Sequence, residues 1–209
     1  MAEVEASRVK ELRERTGSGF MDCKRALAAT DNDLEKAAEW LREKGLASAA
    51  KRAGRVASEG LVVSYIHPGG RVGVLLELNC ETDFVARTAE FGALARDLAM
   101  QVAASNPIWV ARADVPAEQV EHERAVLTRQ AQNEGKPERV VAQMVEGRLK
   151  KFFAERCLLE QPFIKDDGKT VEQLVREHIA RMGENLVVRR FVRFGLGETV
   201  SAPSGEAEA

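Results

Sequence analysis

The stretch Leu61-Val-Val-Ser-Tyr-Ile-His-Pro-Gly-Gly-Arg-Val-Gly-Val-Leu-Leu-Glu-Leu-Asn-Cys-Glu-Thr-Asp-Phe-Val-Ala-Arg87 decides how the chain folds. Two runs, 61–66 and 72–78, are rich in β-branched and aliphatic residues. His67-Pro-Gly-Gly70 between them is turn chemistry, so the pattern predicts a β-hairpin. The second strand runs directly into a helix start, because the oxygens of Thr82 and Asp83 can take the free N–H groups of a first helical turn. Two readings of Phe84 follow. It packs into the core beneath the corner, or it projects beside an ionised Asp83 as an apolar wedge. Such a wedge could enter between a partner's helices and disturb a cation site there.

Upstream, the spacing predicts three short helices. Val9 and Leu12 follow Ser7, and Thr16-Gly-Ser-Gly19 ends that run. Phe20, Cys23 and Leu27 stand at helical spacing over 20–29. Asn32 is a candidate cap, with Glu35 at the capping-box position. Leu34, Ala37, Ala38 and Leu41 then form an apolar stripe that Gly45 can end. Residues 46–58 are Ala-rich and basic, with Lys51, Arg52 and Arg55, and read as a partly helical linker. Its cations are a solvated face or a phosphate contact.

Downstream, a long helix is expected to start near Asp83 or Thr88 and run to about Ala104, before Pro107. Helices follow over 116–132 and 137–160, the latter with Pro137 in its first turn. Asp166-Asp-Gly168 reads as a turn and Val171–Met182 as a helix. The last strand spans Asn185–Phe194, with Val188, Arg190, Val192 and Phe194 alternating against Val187, Arg189, Phe191 and Arg193. The segment from Gly197, with Glu198, Glu206 and Glu208, predicts a disordered acidic tail. The organisation is α+β, with a helical satellite and a core of helices around a small antiparallel sheet. The expected domains are 1–45, a linker 46–58, a core 59–196 and a tail 197–209.

Composition narrows the function by exclusion. With 31 Lys+Arg against 33 Asp+Glu, a net charge of −2 argues against a chain built to coat nucleic acid or anionic membrane. The apolar run near Val72–Leu76 is cut by Glu77, too short to span a bilayer. The start Met1-Ala-Glu-Val-Glu carries no secretory pattern, so a cytoplasmic location is expected. Cys23, Cys80 and Cys157 are odd in number and far apart, which fits a reducing compartment and no disulfide framework. Three scattered histidines offer no metal motif. Gly168-Lys-Thr170 resembles the end of a phosphate loop, but position 163, where its first glycine belongs, is Phe, and the preceding element reads as a helix. No nucleophile, metal or cofactor site emerges, and an enzyme has no positive support. An RNA-binding adaptor using Lys51, Arg52, Arg55 and the Arg148–Lys151 cluster is the alternative of a different class.

Several ungapped stretches make the chain resemble the bacterial elongation factor Ts family. They are Leu12-Arg-Glu-Arg-Thr-Gly-Ser-Gly-Phe-Met-Asp-Cys-Lys-Arg-Ala-Leu27, Ala38-Glu-Trp-Leu-Arg-Glu-Lys-Gly45, Arg52-Ala-Gly-Arg-Val-Ala-Ser-Glu-Gly60 and Glu77-Leu-Asn-Cys-Glu-Thr-Asp-Phe-Val-Ala-Arg87. Val145-Glu-Gly-Arg-Leu-Lys-Lys-Phe-Phe153 and Leu158-Leu-Glu-Gln-Pro-Phe163 extend the likeness to nearly everything but the tail. Thr82-Asp-Phe-Val85 is the most diagnostic of them.

The resemblance implies a ubiquitin-associated-like three-helix module, then a core with a three-stranded antiparallel sheet. It implies a guanine-nucleotide exchange factor that performs no covalent chemistry and needs no cofactor. Its partner would be elongation factor Tu, from which it promotes loss of Mg2+ and GDP. It would stabilise the nucleotide-free state until GTP binds. Thr82, Asp83, Phe84 and Val85 would carry that action, and Phe20, Met21 and Lys24 of the module a second contact. The chain lacks the length for the duplicated core and coiled-coil insertion of longer members. Family precedent for the short type is a homodimer in a two-plus-two complex, without direct nucleic-acid or membrane binding. Phe152, Phe153, Phe191 and Phe194 belong either to that dimer face or to ordinary core.

Overall fold

In the computed structural model, residues 4–135 and 137–198 are described. The first helix, α1 (Ala6–Thr16), buries Val9 and Leu12, and α2 (Phe20–Ala29) buries Cys23, Ala26 and Leu27 against them. The third, α3 (Leu34–Arg52), differs from expectation at both ends. Its cap is Asp33, whose carboxylate accepts from Glu35 N and Lys36 N, both at 3.0 Å. Asn32 instead occupies the left-handed region at φ 62°, which Asn tolerates, so no capping box involves Glu35. At the other end the helix does not stop at Gly45 but continues seven residues to Arg52. Its far half rests on the core, where Ala49 is buried. That docking outweighs the cost of about 1 kcal/mol for an internal glycine.

The hairpin forms as expected, from β1 (Glu59–Ile66) and β2 (Val72–Cys80), and β5 (Val187–Gly195) pairs with the other side of β2. All three strands are antiparallel. Gly60 is required where the strands meet, because a Cβ there would lie 2.1 Å from the carbonyl oxygen of Leu78. In β5 the strict alternation read from sequence fails. Glu77 faces Arg190 but Leu78 faces Val188, leaving Arg189 as the extra residue of a bulge. Val188 therefore turns into the core with Phe191, while Val192 and Phe194 face outward.

The long helix expected after β2 takes the later of its two expected starts, Thr88, and a separate turn forms at Asp83. One turn, α4 (Asp83–Ala86), is followed by α5 (Ala89–Ser105), which restarts at the cap Thr88. On its inner face β2 presents Val74, Leu76 and Leu78 to Phe91, Leu94, Ala95 and Leu98 of α5, and this is the main core. Next come α6 (Ala117–Asn133) and α7 (Glu138–Arg156), which has Pro137 at its cap position; a separate 3-10 turn covers Leu158–Glu160. The pair encloses a small core of its own, with Leu127, Ala131, Val141, Val145 and Leu149.

The expected turn at 166–168 is part of a second, two-stranded sheet of β3 (Pro162–Phe163) and β4 (Asp166–Thr170). A strand, not a helix, therefore precedes Gly168. Phe163 still disqualifies a phosphate loop, and Lys169 Nζ is engaged by Glu177 at 2.9 Å and Asp166 at 3.3 Å. Thr170 caps α8 (Val171–Met182) in a reciprocal capping box with Gln173. The tail expected to be disordered lies largely outside the described residues. No helix among the described residues is long and apolar enough to cross a membrane.

Candidate protein-interaction site

The β2–α4 corner is built from a short run of residues with opposing demands. The last ladder pair of β2 is Cys80 with Glu59. Beyond it the amides of Glu81 and Thr82 have no strand partner. The Thr82 hydroxyl accepts from Val85 N at 3.5 Å, a long contact that caps the single turn of α4. Ala86 is buried and Val85 packs against the core, so the turn is anchored on one side. Phe84 is on the other side. It is 82% exposed, which removes the core reading of this residue. An exposed aromatic ring on a fixed turn is what an anchor for a partner's pocket requires. Asp83 remains beside it, with its carboxylate 2.9 Å from Arg87 Nη2. With Arg87 largely exposed, that pair holds Asp83 only weakly.

Beneath the corner lies Cys80, whose thiol donates to the carbonyl of Thr82 at 3.1 Å. Burial, with the nearby Glu184 carboxylate second, pushes its pKa up to about 11. It is a neutral core group, not a nucleophile.

The helical module presents a second exposed apolar pair. Phe20 is 50% and Met21 62% exposed at the start of α2. Lys24 is exposed one turn on. Three of the basic residues that suggested RNA stand beside carboxylates: Arg55 is 3.5 Å from Glu81, Arg148 2.6 Å from Glu134 and Lys151 3.7 Å from Glu155. Among the described residues no three His, Cys, Asp or Glu side chains come together as a metal-binding group.

The family profile described as "Elongation factor TS" matches residues 28–198, and "Elongation factor Ts, mitochondrial, N-terminal" matches residues 1–51. The chain is 63% identical over 198 residues to elongation factor Ts of Desulforamulus reducens, covering 95% of this chain and 91% of that one. It is 64% identical over 195 residues to that of Carboxydothermus hydrogenoformans, with 93% and 90% covered. Against the Thermoanaerobacter pseudethanolicus protein identity is 59% over 203 residues, 97% of this chain and all of the relative. The chain belongs to the elongation factor Ts family. It is therefore related over most of its length to translation elongation factors of protein biosynthesis.

In this chain Thr82, Asp83, Phe84 and Val85 are brought together by one turn, as the sequence order requires. What sequence reading missed is the support behind them. Glu184, two residues past the end of α8, aims its carboxylate at the corner. It accepts from Glu81 N at 3.1 Å, Thr82 N at 3.0 Å and the Thr82 hydroxyl at 2.6 Å. In return Glu81 Oε1 accepts from Asn185 N at 2.7 Å, and buried Asn185 donates from Nδ2 to the Arg55 carbonyl at 2.8 Å. No spacing rule links residues this far apart in the chain. The one local signal is Gly183, whose left-handed φ of 79° ends α8 and turns the chain toward the corner.

Proposed function

We propose that this chain is a guanine-nucleotide exchange factor for elongation factor Tu, with the β2–α4 corner as its working part. Exposed Phe84 on an anchored turn is the observation that supports the reading. Phe84 and Asp83 enter between two helices of the GTPase domain and move the groups that hold Mg2+ and the phosphates of GDP. Thr82 and Val85 hold the turn that presents them. The module over residues 1–45, joined through 46–58 to a core at 59–196, makes a separate contact through Phe20, Met21 and Lys24.

The mechanism is a coupling of two binding equilibria. The exchange factor binds the nucleotide-free GTPase most tightly, so GDP and exchange factor weaken each other to the same extent. Each tenfold of weakening draws on about 1.4 kcal/mol of differential contact. No bond is made or broken, so the chain needs no catalytic nucleophile.

The outer face of the three-stranded sheet supports a homodimer as part of the same reading. Val62, Ile66, Leu75, Val192 and Phe194 stand exposed there, on adjacent strands by register. Glu77 and Arg190, 2.8 Å apart, flank them. A two-fold axis would set this same apolar face of one copy against that of the other. Of the four phenylalanines considered for a dimer, only Phe194 is on this face; Phe191 packs on the core and Phe152 stacks with Trp109 and Phe153.

Release of a fluorescent GDP analogue from purified elongation factor Tu tests the proposal. Addition of the chain should accelerate release by orders of magnitude, and Phe84→Ala should lose most of that. Unchanged release with the wild-type chain would refute the reading.

A further inference from the structure

We propose that Glu184 is a positioning residue for Phe84, a role that rests on the exchange-factor reading above. The corner has a structural problem that its own residues do not solve. The amides of Glu81 and Thr82 lie past the last ladder pair of β2 and before the first intrahelical bond of α4. Left to water, this joint could pivot. Phe84, two residues on and 82% exposed, makes no core contact of its own, so its direction follows the backbone of the turn and the joint that leads into it.

Glu184 closes the joint. One carboxylate oxygen accepts from both amides, at 3.1 and 3.0 Å, while the other accepts the Thr82 hydroxyl proton at 2.6 Å. Donors to a charged acceptor form shorter and stronger bonds than neutral pairs do. The third bond also fixes the polarity of Thr82: once its proton points to Glu184, its lone pairs face Val85 N, the cap of α4. A single carboxylate thus orients both the peptide planes that enter the turn and the cap that starts it.

The support is itself held from behind. Asn185 N donates to Glu81, Asn185 Nδ2 donates to the carbonyl of Arg55, and the Arg55 guanidinium stands 3.5 Å from Glu81. The α8–β5 loop and the β2–α4 corner are therefore interlocked in both directions, and the direction of Phe84 is referred to α8 and β5. Preorganisation of this kind matters where a side chain must enter a cleft, because each loose torsion lowers the fraction of encounters that are productive.

The test compares wild type, Phe84→Ala, Glu184→Ala, Glu184→Gln and the double variant Phe84→Ala/Glu184→Ala. Three readouts are taken: far-UV melting, amide hydrogen exchange at Thr82–Val85, and GDP release from elongation factor Tu. The expected result is a retained fold, amide exchange at the corner raised about tenfold in Glu184→Ala, and release slowed by about tenfold. Glu184→Gln, which keeps an acceptor oxygen, should lie between. In the Phe84→Ala background, Glu184→Ala should slow release little further, because the two act as a unit.

Wild-type release and unchanged amide exchange in Glu184→Ala would overturn the assignment. So would full additivity with Phe84→Ala, which marks an effect elsewhere in the molecule. If the wild-type chain itself fails to accelerate release, the exchange-factor reading falls. The amide exchange then decides separately whether Glu184 orders the corner.

Discussion

Gly45 of α3 lies directly against Ala180 of α8: a Cβ at position 45 would stand 3.0 Å from the Ala180 Cβ. This contact seats the N-terminal module on the core. It also explains why α3 runs through a glycine instead of ending at it. A side chain here meets the Ala180 Cβ closer than ordinary van der Waals contact, so the two helices must move apart to accept it. Gly45→Leu is expected to cost about 1–3 kcal/mol by overpacking and to lower the urea midpoint accordingly. An unchanged midpoint would mean that the seam yields freely.

Two phenylalanines next to each other in the Phe series should respond oppositely to truncation. Phe91 is fully buried in the main core, whereas Phe84 is 82% exposed. Phe91→Ala should cost about 3–5 kcal/mol, and Phe84→Ala less than about 0.5 kcal/mol. Thermal melts of the two variants side by side check this. A comparable loss in both would return Phe84 to the core.

Asp83→Ala should slow exchange less than Phe84→Ala does and should be mild for the fold. The cap of α4 is Thr82, and Asp83 contributes a first-turn carboxylate exposed alongside Arg87. The expected stability loss is below about 1 kcal/mol. Denaturant titration measures it, and a loss of several kcal/mol would show that Asp83 is a structural anchor.

The buried thiols are expected to weaken the fold at alkaline pH. Burial pushes Cys80 and Cys157 up to about 11 from an ordinary 9.0, with Glu184 and Glu160 adding to it respectively. A folded-state value above the unfolded one favours the protonated folded form. That stabilisation is complete below about pH 9 and is lost as pH rises through about 11. His178 acts on the acid side: burial lowers its pKa, so its contribution is present above about 6.5 and is lost as pH falls through its folded value. The urea midpoint should therefore hold level near pH 7–9 and drop on either side. Labelling with a thiol reagent at pH 8 should be slow in the native protein and fast in urea. Fast native labelling of Cys80 would contradict its burial.

The sheet face makes an oligomer prediction. Leu75 pairs with Ser64 on one side and Val192 on the other, at the centre of the exposed apolar patch. Leu75→Arg should convert a dimer to monomer in sedimentation equilibrium while leaving the far-UV spectrum unchanged. A wild-type monomer at all concentrations, or a dimer that tolerates the charge, would place the interface elsewhere.

Much of the fold was legible because its cues are local. Helix α2 and helix α8 begin and end where apolar spacing and turn residues put them, and the hairpin around His67–Gly70 forms as read. The errors at Gly45 and Val188 share one cause, a partner distant in the chain. Gly45 reads as a stop because glycine weakens an isolated helix, but Ala180 on α8 supplies packing that sequence cannot display. Val188 reads as outward because alternation has no way of marking the bulge at Arg189. Asn32 and Asp33 are both good caps, and only the chain direction at the turn chose between them.

The candidate site divides the same way. Thr82, Asp83, Phe84 and Val85 are contiguous, so sequence alone determined that they share one strand–helix corner, and its motifs determined the family. Whether Phe84 entered the core or left it was open until the turn of α4 was seen to place Ala86 inward and Phe84 outward. Glu184, 102 residues from Thr82, became its partner only through the path of α8 and the registry of β5. Helical periods, caps and turns are set by neighbours in the chain. Which distant carboxylate meets an unpaired amide is set by how the layers pack, and that was decided by the tertiary structure.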